Sequence, residues 1–226
     1  MIKLVQRVEF IKSWCVGKSV LHLGCTNYPY TQDSIDNKML LHFDLEKIAA
    51  EVYGFDFDQK GLDILAASGG KHLFRADLEK LDNVELDKTF DVIIAGEIIE
   101  HLSNPGLFLK GIQRFMTPKT RLVITTINAY SAMRFFIYGL RGKGGMNEPV
   151  HPDHSAYYSY RTLSLMLEHA GLYVEEFCFY DIGMEHRPFS PWYYNLVNYI
   201  SVWFSPHLSD GVIAVCVLNG NSTETH

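Results

Sequence analysis

Residues 90–96 read FDVIIAG, and Val92 through Ala95 leave no polar position. A strand with one wet face alternates. A run that is apolar throughout, dense in β-branched residues, is covered on both sides, as in a parallel sheet flanked by helices. Six other short β-like runs accompany it: VLHL at 20–23, VYGFD at 52–56, HLFRAD at 72–77, RLVITTI at 121–127, YVEEFCFY at 173–180 and GVIAVCVL at 211–218. Helical stretches lie between most of them. Gln59 to about Ser68 is one. Asn104 before Pro105 is an N-cap followed by proline at the first helical position, predicting a helix to about Met116. Ser159 caps another over Tyr160 to Ala170, which Gly171 stops. MIKLVQRVEFIKSWC has the 3/4 apolar spacing of an amphipathic helix, and its charges are foreign to a secretory signal. Strands alternating with helices imply an α/β domain with helices on both faces of a mainly parallel seven-stranded sheet. We expect one domain over 1–226, with a lid or acceptor insertion at about 128–158 and a second insertion at about 181–210.

At 226 residues with 47% hydrophobic and 20% charged, the chain has material for a full core and is not of disordered composition. A formal charge of −6 counts against non-specific nucleic-acid binding, which needs positive surface to displace counterions. Cys15, Cys25, Cys178 and Cys216 form no CxxC pair, so free thiols in a reducing, cytoplasmic setting are expected. The most apolar stretch, WYYNLVNYISVWF, is shorter than the ~20 residues of a membrane span and is interrupted by Asn195, Asn198 and Ser201.

In an open parallel sheet, ligands sit at the carboxyl ends of the strands. Four of these ends carry suggestive residues: Gly24, Asp56, Asp77, and the pair Gly96 and Glu97. A glycine lets a ligand approach the backbone, and a carboxylate accepts from ribose hydroxyls or an adenine amino group. Taken singly, each is an ordinary turn or cap residue. Their order on successive strand ends carries the argument.

VLHLGC, VYGFD, RADLEKL, FDVIIAGEIIEHLSNP and LVITTIN resemble the successive motifs of class I S-adenosylmethionine-dependent methyltransferases. With HPDHSAYYSYRTLSLMLEHAGLYVEE, the chain is similar to bacterial enzymes of that family that O-methylate glycans and natural products. The resemblance covers about 18–180. It implies a Rossmann-like seven-stranded sheet with an antiparallel last strand and S-adenosylmethionine as cofactor. The cofactor would be bound by His22, Gly24, Cys25, Asp56, Phe57, Asp77, Leu78 and Gly96. The first motif departs from the family's DxGxGxG: His22 stands where an acid is usual, and the second and third glycines are missing.

Glu97, Glu100 and His101 stand at i, i+3 and i+4, which on a helix would put them on one face. Two carboxylates and an imidazole suit Mg2+ or another divalent ion. Glu-x-x-Glu-His with a later Asp-His also resembles small-RNA 2′-O-methyltransferases and the metal signature of some quinone-biosynthesis O-methyltransferases. That resemblance implies Glu97, Glu100, His101 and His154 as ligands. The alternative is metal-free chemistry, with His101, His154 or Glu97 taking the hydroxyl proton. His151 reads as a loop or supporting residue.

On the acceptor side, SAMRFFIYGL reads as a helix and RGKGGMNEP as a loop. Arg134, Arg141 and Lys143 are candidates to meet an anionic group such as nucleotide-sugar phosphates, the alternative being solvated surface charge. Tyr157, Tyr158 and Tyr160 are candidates to stack on a sugar ring, the alternative being packing. The 191–206 segment reads as core or homodimer packing. The expected activity is O-methylation of a sugar, nucleotide sugar or similar small polar acceptor. The alternatives are an RNA ribose 2′-O-methyltransferase and a non-catalytic nucleotide-binding subunit.

Overall fold

The computed structural model describes residues 3–141, 153–181 and 192–220. The strands are β1 (Leu4–Val5), β2 (Ser19–Leu23), β3 (Glu51–Asp56), β4 (Leu73–Arg75), β5 (Val92–Gly96), β6 (Arg121–Ile127), β7 (Leu172–Tyr180) and β8 (Gly211–Leu218). They form one sheet in the order β1-β7-β8-β6-β5-β2-β3-β4. All pairings are parallel except those of β8, which runs antiparallel to both β6 and β7. Among the described residues the sheet thus has eight strands, not the seven expected. The extra one is Leu4–Val5, which pairs with Phe179 and Tyr180. The expected helix over 1–15 is shortened accordingly, and α1 runs only over Arg7–Cys15. Two residues are too few to leave a period in the sequence.

The other helices among the described residues are α2 (Thr31–Asp36), α3 (Leu41–Ile48), α4 (Gln59–Ala67), α5 (Pro105–Gly111), α6 (Ala132–Arg141), α7 (Tyr160–His169) and α8 (Trp192–Phe204). The helix expected to reach Met116 is α5 followed by a tighter turn over Ile112–Phe115. The caps follow the sequence. Asn104 Oδ1 accepts from Leu107 N at 3.2 Å. Ser159 and Thr162 form a reciprocal capping box at the start of α7.

β5 is covered on both faces, as its unbroken apolar run implies. Ile93 and Ala95 enter one core with Phe108, Leu109, Leu163 and Leu167. Val92 and Ile94 enter the opposite core with Phe10, Ile11 and Leu45. β5 therefore has no wet face, which is why its sequence does not alternate. The four cysteines are free and buried.

The chain runs from β2 outward to β3 and β4, then returns to β5 on the other side of β2. The strand order reverses between β2 and β5, so the crevice that can take a ligand opens between their tips.

α8 corrects one expectation. Only Tyr194 and Asn198 are buried along it, whereas Trp192, Trp203 and Phe204 are 74%, 79% and 81% exposed. Core packing therefore does not account for its aromatic content. Among the described residues, no helix is long and apolar enough to cross a membrane.

Candidate active site at the strand tips

Gly24 follows β2 at φ +67°, a conformation that L side chains rarely adopt. A Cβ there would stand 2.9 Å from Ile98 Cδ1, just past the tip of β5. The glycine thus lets the two strand tips on either side of the crevice come together. Gly24→Ala should lower affinity for a ligand in the crevice at least about tenfold and cost the fold ~1 kcal/mol. Calorimetry and urea unfolding would measure the two effects.

Asp56 ends β3. Its Oδ2 accepts from Thr26 N at 2.9 Å and Thr26 Oγ1 at 2.8 Å, and its Oδ1 accepts from Asp58 N at 2.9 Å. A carboxylate has roughly four acceptor positions, so about one is left for a ribose hydroxyl. Thr26 stands where the family pattern has its second glycine. Its hydroxyl ties the loop to the acid, a role the sequence reading missed. Phe57 is 64% exposed, with Arg75 stacked over its ring at 5.1 Å.

Asp77 caps the turn at Leu78–Asn83, accepting from Glu79 N at 3.0 Å. Lys80, 3.0 Å away, holds its carboxyl below the usual range. Leu78 is buried beside it. Glu79 Oε1 accepts from Ser103 N and Asn104 N at 2.7 and 3.0 Å, tying this turn to the segment leaving the β5 tip.

His22 and Cys25 face inward. His22 is buried, and its Nδ1 lies 3.3 Å from His42 Nδ1, with the two rings stacked. Burial holds His22 well below its ordinary pKa, and His42 is pushed down to about 4 for the same reason. The pair is therefore neutral, one ring donating and the other accepting. The residue replacing the family's acid is thus satisfied within the fold by an α3 residue that no local motif announces. Cys25 is fully buried, and burial raises its thiol pKa.

The segment beyond β5 departs from expectation. Glu97 to His101 form a turn, not a helix, so the i, i+3, i+4 spacing does not put the three side chains on one face. Glu97 has φ +53°. Its Oε1 accepts from Tyr180 OH at 2.7 Å, and its Oε2 lies 3.4 Å from Arg7 Nη1. Glu100 points elsewhere. It is fully buried, and its Oε2 accepts from Thr126 Oγ1 at 2.9 Å. Desolvation, aided by the charge of Glu97, pushes its pKa up to about 7. Its Oε1 is buried without a hydrogen-bond partner among the described residues.

Glu100, His101 and His154 each offer a ligand atom within 4.8 Å of the others. The two imidazoles meet edge to face, with centroids 4.5 Å apart. Ser155 N donates to Glu100 O at 2.8 Å, which fixes His154 beside the turn. Three of the four expected ligands therefore converge, and Glu97 does not join them. One carboxylate with an unpartnered oxygen and two imidazoles fit a divalent ion.

A protein-family model described as a methyltransferase domain matches residues 16–176. The chain belongs to the methyltransferase-domain family. A ubiquinone biosynthesis O-methyltransferase of Bradyrhizobium diazoefficiens is 25% identical over 172 residues, covering 71% of this chain and 64% of that protein. A probable S-adenosylmethionine-dependent methyltransferase of Mycolicibacterium smegmatis is 26% identical over 165 residues, covering 72% and 54% respectively. The chain thus spans less than two thirds of the length of these curated relatives. The crystal structure of a SAM-dependent methyltransferase from Archaeoglobus fulgidus shares the fold at a TM-score of 0.59 and 17% identity, covering 93% of this chain and 91% of that one.

Of the residues considered for contact with an acceptor in this methyltransferase-family chain, Arg134 is tied to Asp210 at 3.1 Å, both largely buried. The Arg141 side chain, Lys143 and His151 lie outside the described residues. Tyr158 is buried and its OH reaches Ile99 O at 3.5 Å, so it packs rather than stacks on a ligand. Tyr157 and Tyr160 are 39% and 55% exposed. The sequence reading missed Arg7, Tyr180 and Thr126. One signal was available: Gly211 opens an otherwise fully apolar strand, and a strand glycine marks close approach.

Proposed function

We propose that the chain transfers a methyl group from S-adenosylmethionine to a hydroxyl of a small molecule. The observation that carries this is the convergence of Glu100, His101 and His154 beside the β5 tip, next to the crevice where the strand order reverses. Gly24 and Gly96 would give the cofactor backbone-close walls, with Asp56 taking a ribose hydroxyl and Asp77 the adenine side. When bound, the cofactor supplies an electrophilic methyl, and catalysis is then chiefly alignment of the attacking oxygen with it.

A neutral hydroxyl must also lose its proton. Glu100, His101 and His154 would hold a divalent ion, which would lower the hydroxyl's pKa. Without an ion, the same imidazoles take the proton, with Glu100 orienting them. Glu97 is turned toward Arg7 and Tyr180, so its role is to shape the β5 tip rather than to ligate. The name of the Bradyrhizobium relative agrees with O-methylation of a small molecule. A sugar or nucleotide-sugar acceptor is the finer version of this reading, but it loses the support of Arg134, whose charge is answered by Asp210.

The test is transfer of label from methyl-labelled S-adenosylmethionine to a panel of phenols, diols and sugars. We expect transfer to at least one class, and His154→Ala should reduce it by ~100-fold or more. Binding of the demethylated cofactor without transfer to any member would instead support a binding subunit.

A further inference from the structure

Beyond the end of β6 lies a cavity of about 240 Å³. We propose that it is the ring pocket of the methyl acceptor, and that it takes a planar ring carrying an anionic substituent. This deepens the reading of the preceding section and rests on it.

The size comes first. A cavity of ~150 Å³ in a protein interior accepts benzene, so this one holds a single ring with substituents. The walls are aromatic: Phe179 is 7% exposed at the base, and Tyr130 and Tyr160 are 61% and 55% exposed at the mouth. His207 meets Phe179 edge to face at 5.1 Å, and Tyr160 meets Phe177 likewise at 4.6 Å. Such walls offer faces and edges to a flat ring, which prefers offset or T-shaped contact.

The walls are also fixed. Asn128, 2% exposed, donates from Nδ2 to His207 O and Ser209 O, both at 2.8 Å. Its Oδ1 accepts from Tyr130 N at 3.1 Å. One buried amide therefore sets the position of two walls and spends its polar atoms doing so. Ser159 is likewise used up in the capping box with Thr162. The lining's permanent charge is Arg161, with no carboxylate, in a chain of net charge −6. Among the described residues its guanidinium makes no ion pair. A cation at the mouth of an aromatic slot selects an anionic substituent, which guanidinium grips in a planar fork.

The pocket adjoins the transfer end. Thr126, which donates to Glu100, and Asn128 are two residues apart along one extended stretch, about 7 Å. The segment carrying His154 continues into Ser159 and the start of α7 at Tyr160, and its Tyr158 O accepts from Ala129 N at 2.8 Å. The pocket is thus joined to Glu100 through Thr126 and to the segment carrying His154 through Tyr158.

The experiment titrates the full chain calorimetrically with benzoate, its neutral analogue benzamide, and glucose. S-adenosylhomocysteine is titrated into a separate aliquot of the same protein. We expect benzoate to bind about tenfold more tightly than benzamide, the scale of one charge-assisted hydrogen bond. Arg161→Gln, an exposed change, should erase that preference, and Tyr160→Ala should weaken both ligands. The proposal is overturned if benzoate does not bind, if Arg161→Gln leaves the preference intact, or if glucose binds as well as benzoate. Benzoate binding without S-adenosylhomocysteine binding would keep the ring pocket and remove the cofactor reading. The converse would remove the pocket alone.

Discussion

Glu100→Gln should leave a better folded and nearly inactive protein at pH 8. Burial and the neighbouring charge of Glu97 raise the Glu100 carboxyl from 4.5 to about 7. A group whose folded pKa is raised contributes stability that is complete below its unfolded pKa and is lost as pH rises through the folded value. The wild type, freed of divalent ions by chelator, should therefore lose about 3 kcal/mol from this group between pH 4.5 and 8. The glutamine variant, which keeps an oxygen for the Thr126 hydroxyl, should lose none of it. Urea unfolding of both proteins across that range gives the difference directly. Activity should move the other way, falling by ~100-fold or more, because the group that ligates an ion or orients the imidazoles is neutralised. Added divalent ion should raise the wild-type melting temperature and leave the variant's unchanged. A stability difference that is flat with pH would show that the carboxyl is ionised and solvated, contrary to its burial.

Gly211→Ala is the second large effect, and it acts on folding. A Cβ at Gly211 would fall inside the ring of Tyr180, its partner across the β7–β8 pair. Tyr180 is 3% exposed. It cannot swing away without giving up Glu97 Oε1 and its contact with Thr126 O. Overpacking of this kind costs ~3 kcal/mol, at the upper end of the usual range. Tyr180→Phe, which removes only the hydroxyl, should cost about half of that, as for a hydrogen bond to a charged group. In a Tyr180→Ala background the alanine at 211 should be nearly harmless. That non-additivity, read from denaturation midpoints, identifies the clash as the cause. Additive costs would place it elsewhere.

What could be read from the sequence follows the range of the forces involved. β5, β6 and β8, the caps at Asn104 and Ser159, and the stop at Gly171 depend on neighbours a few residues away, and the structure has them where the sequence implies. The order of strand ends was legible for the same reason. β1 was not, because its evidence is its pairing with Phe179 and Tyr180. Nor was the division of labour between the two glutamates. Helical spacing suggested one shared face. The left-handed backbone at Glu97 instead sends its carboxylate to Tyr180 and Arg7, and the Thr126 hydroxyl donates to Glu100. Such partners lie far away in sequence and leave no periodicity. His22 is a similar case. As a motif residue it reads as a lost acid, and only α3 reveals that His42 completes it.

We propose that the adenosyl cofactor lies across the tips of β2 to β5 with its ribose on Asp56. This is tested most directly by calorimetric titration of the full chain with S-adenosylhomocysteine, repeated with Asp56→Asn. Saturable one-to-one binding is expected, weakened about tenfold or more in the variant, the scale of a hydrogen bond to a charged group. Absence of binding, or equal affinity in the two proteins, would contradict it.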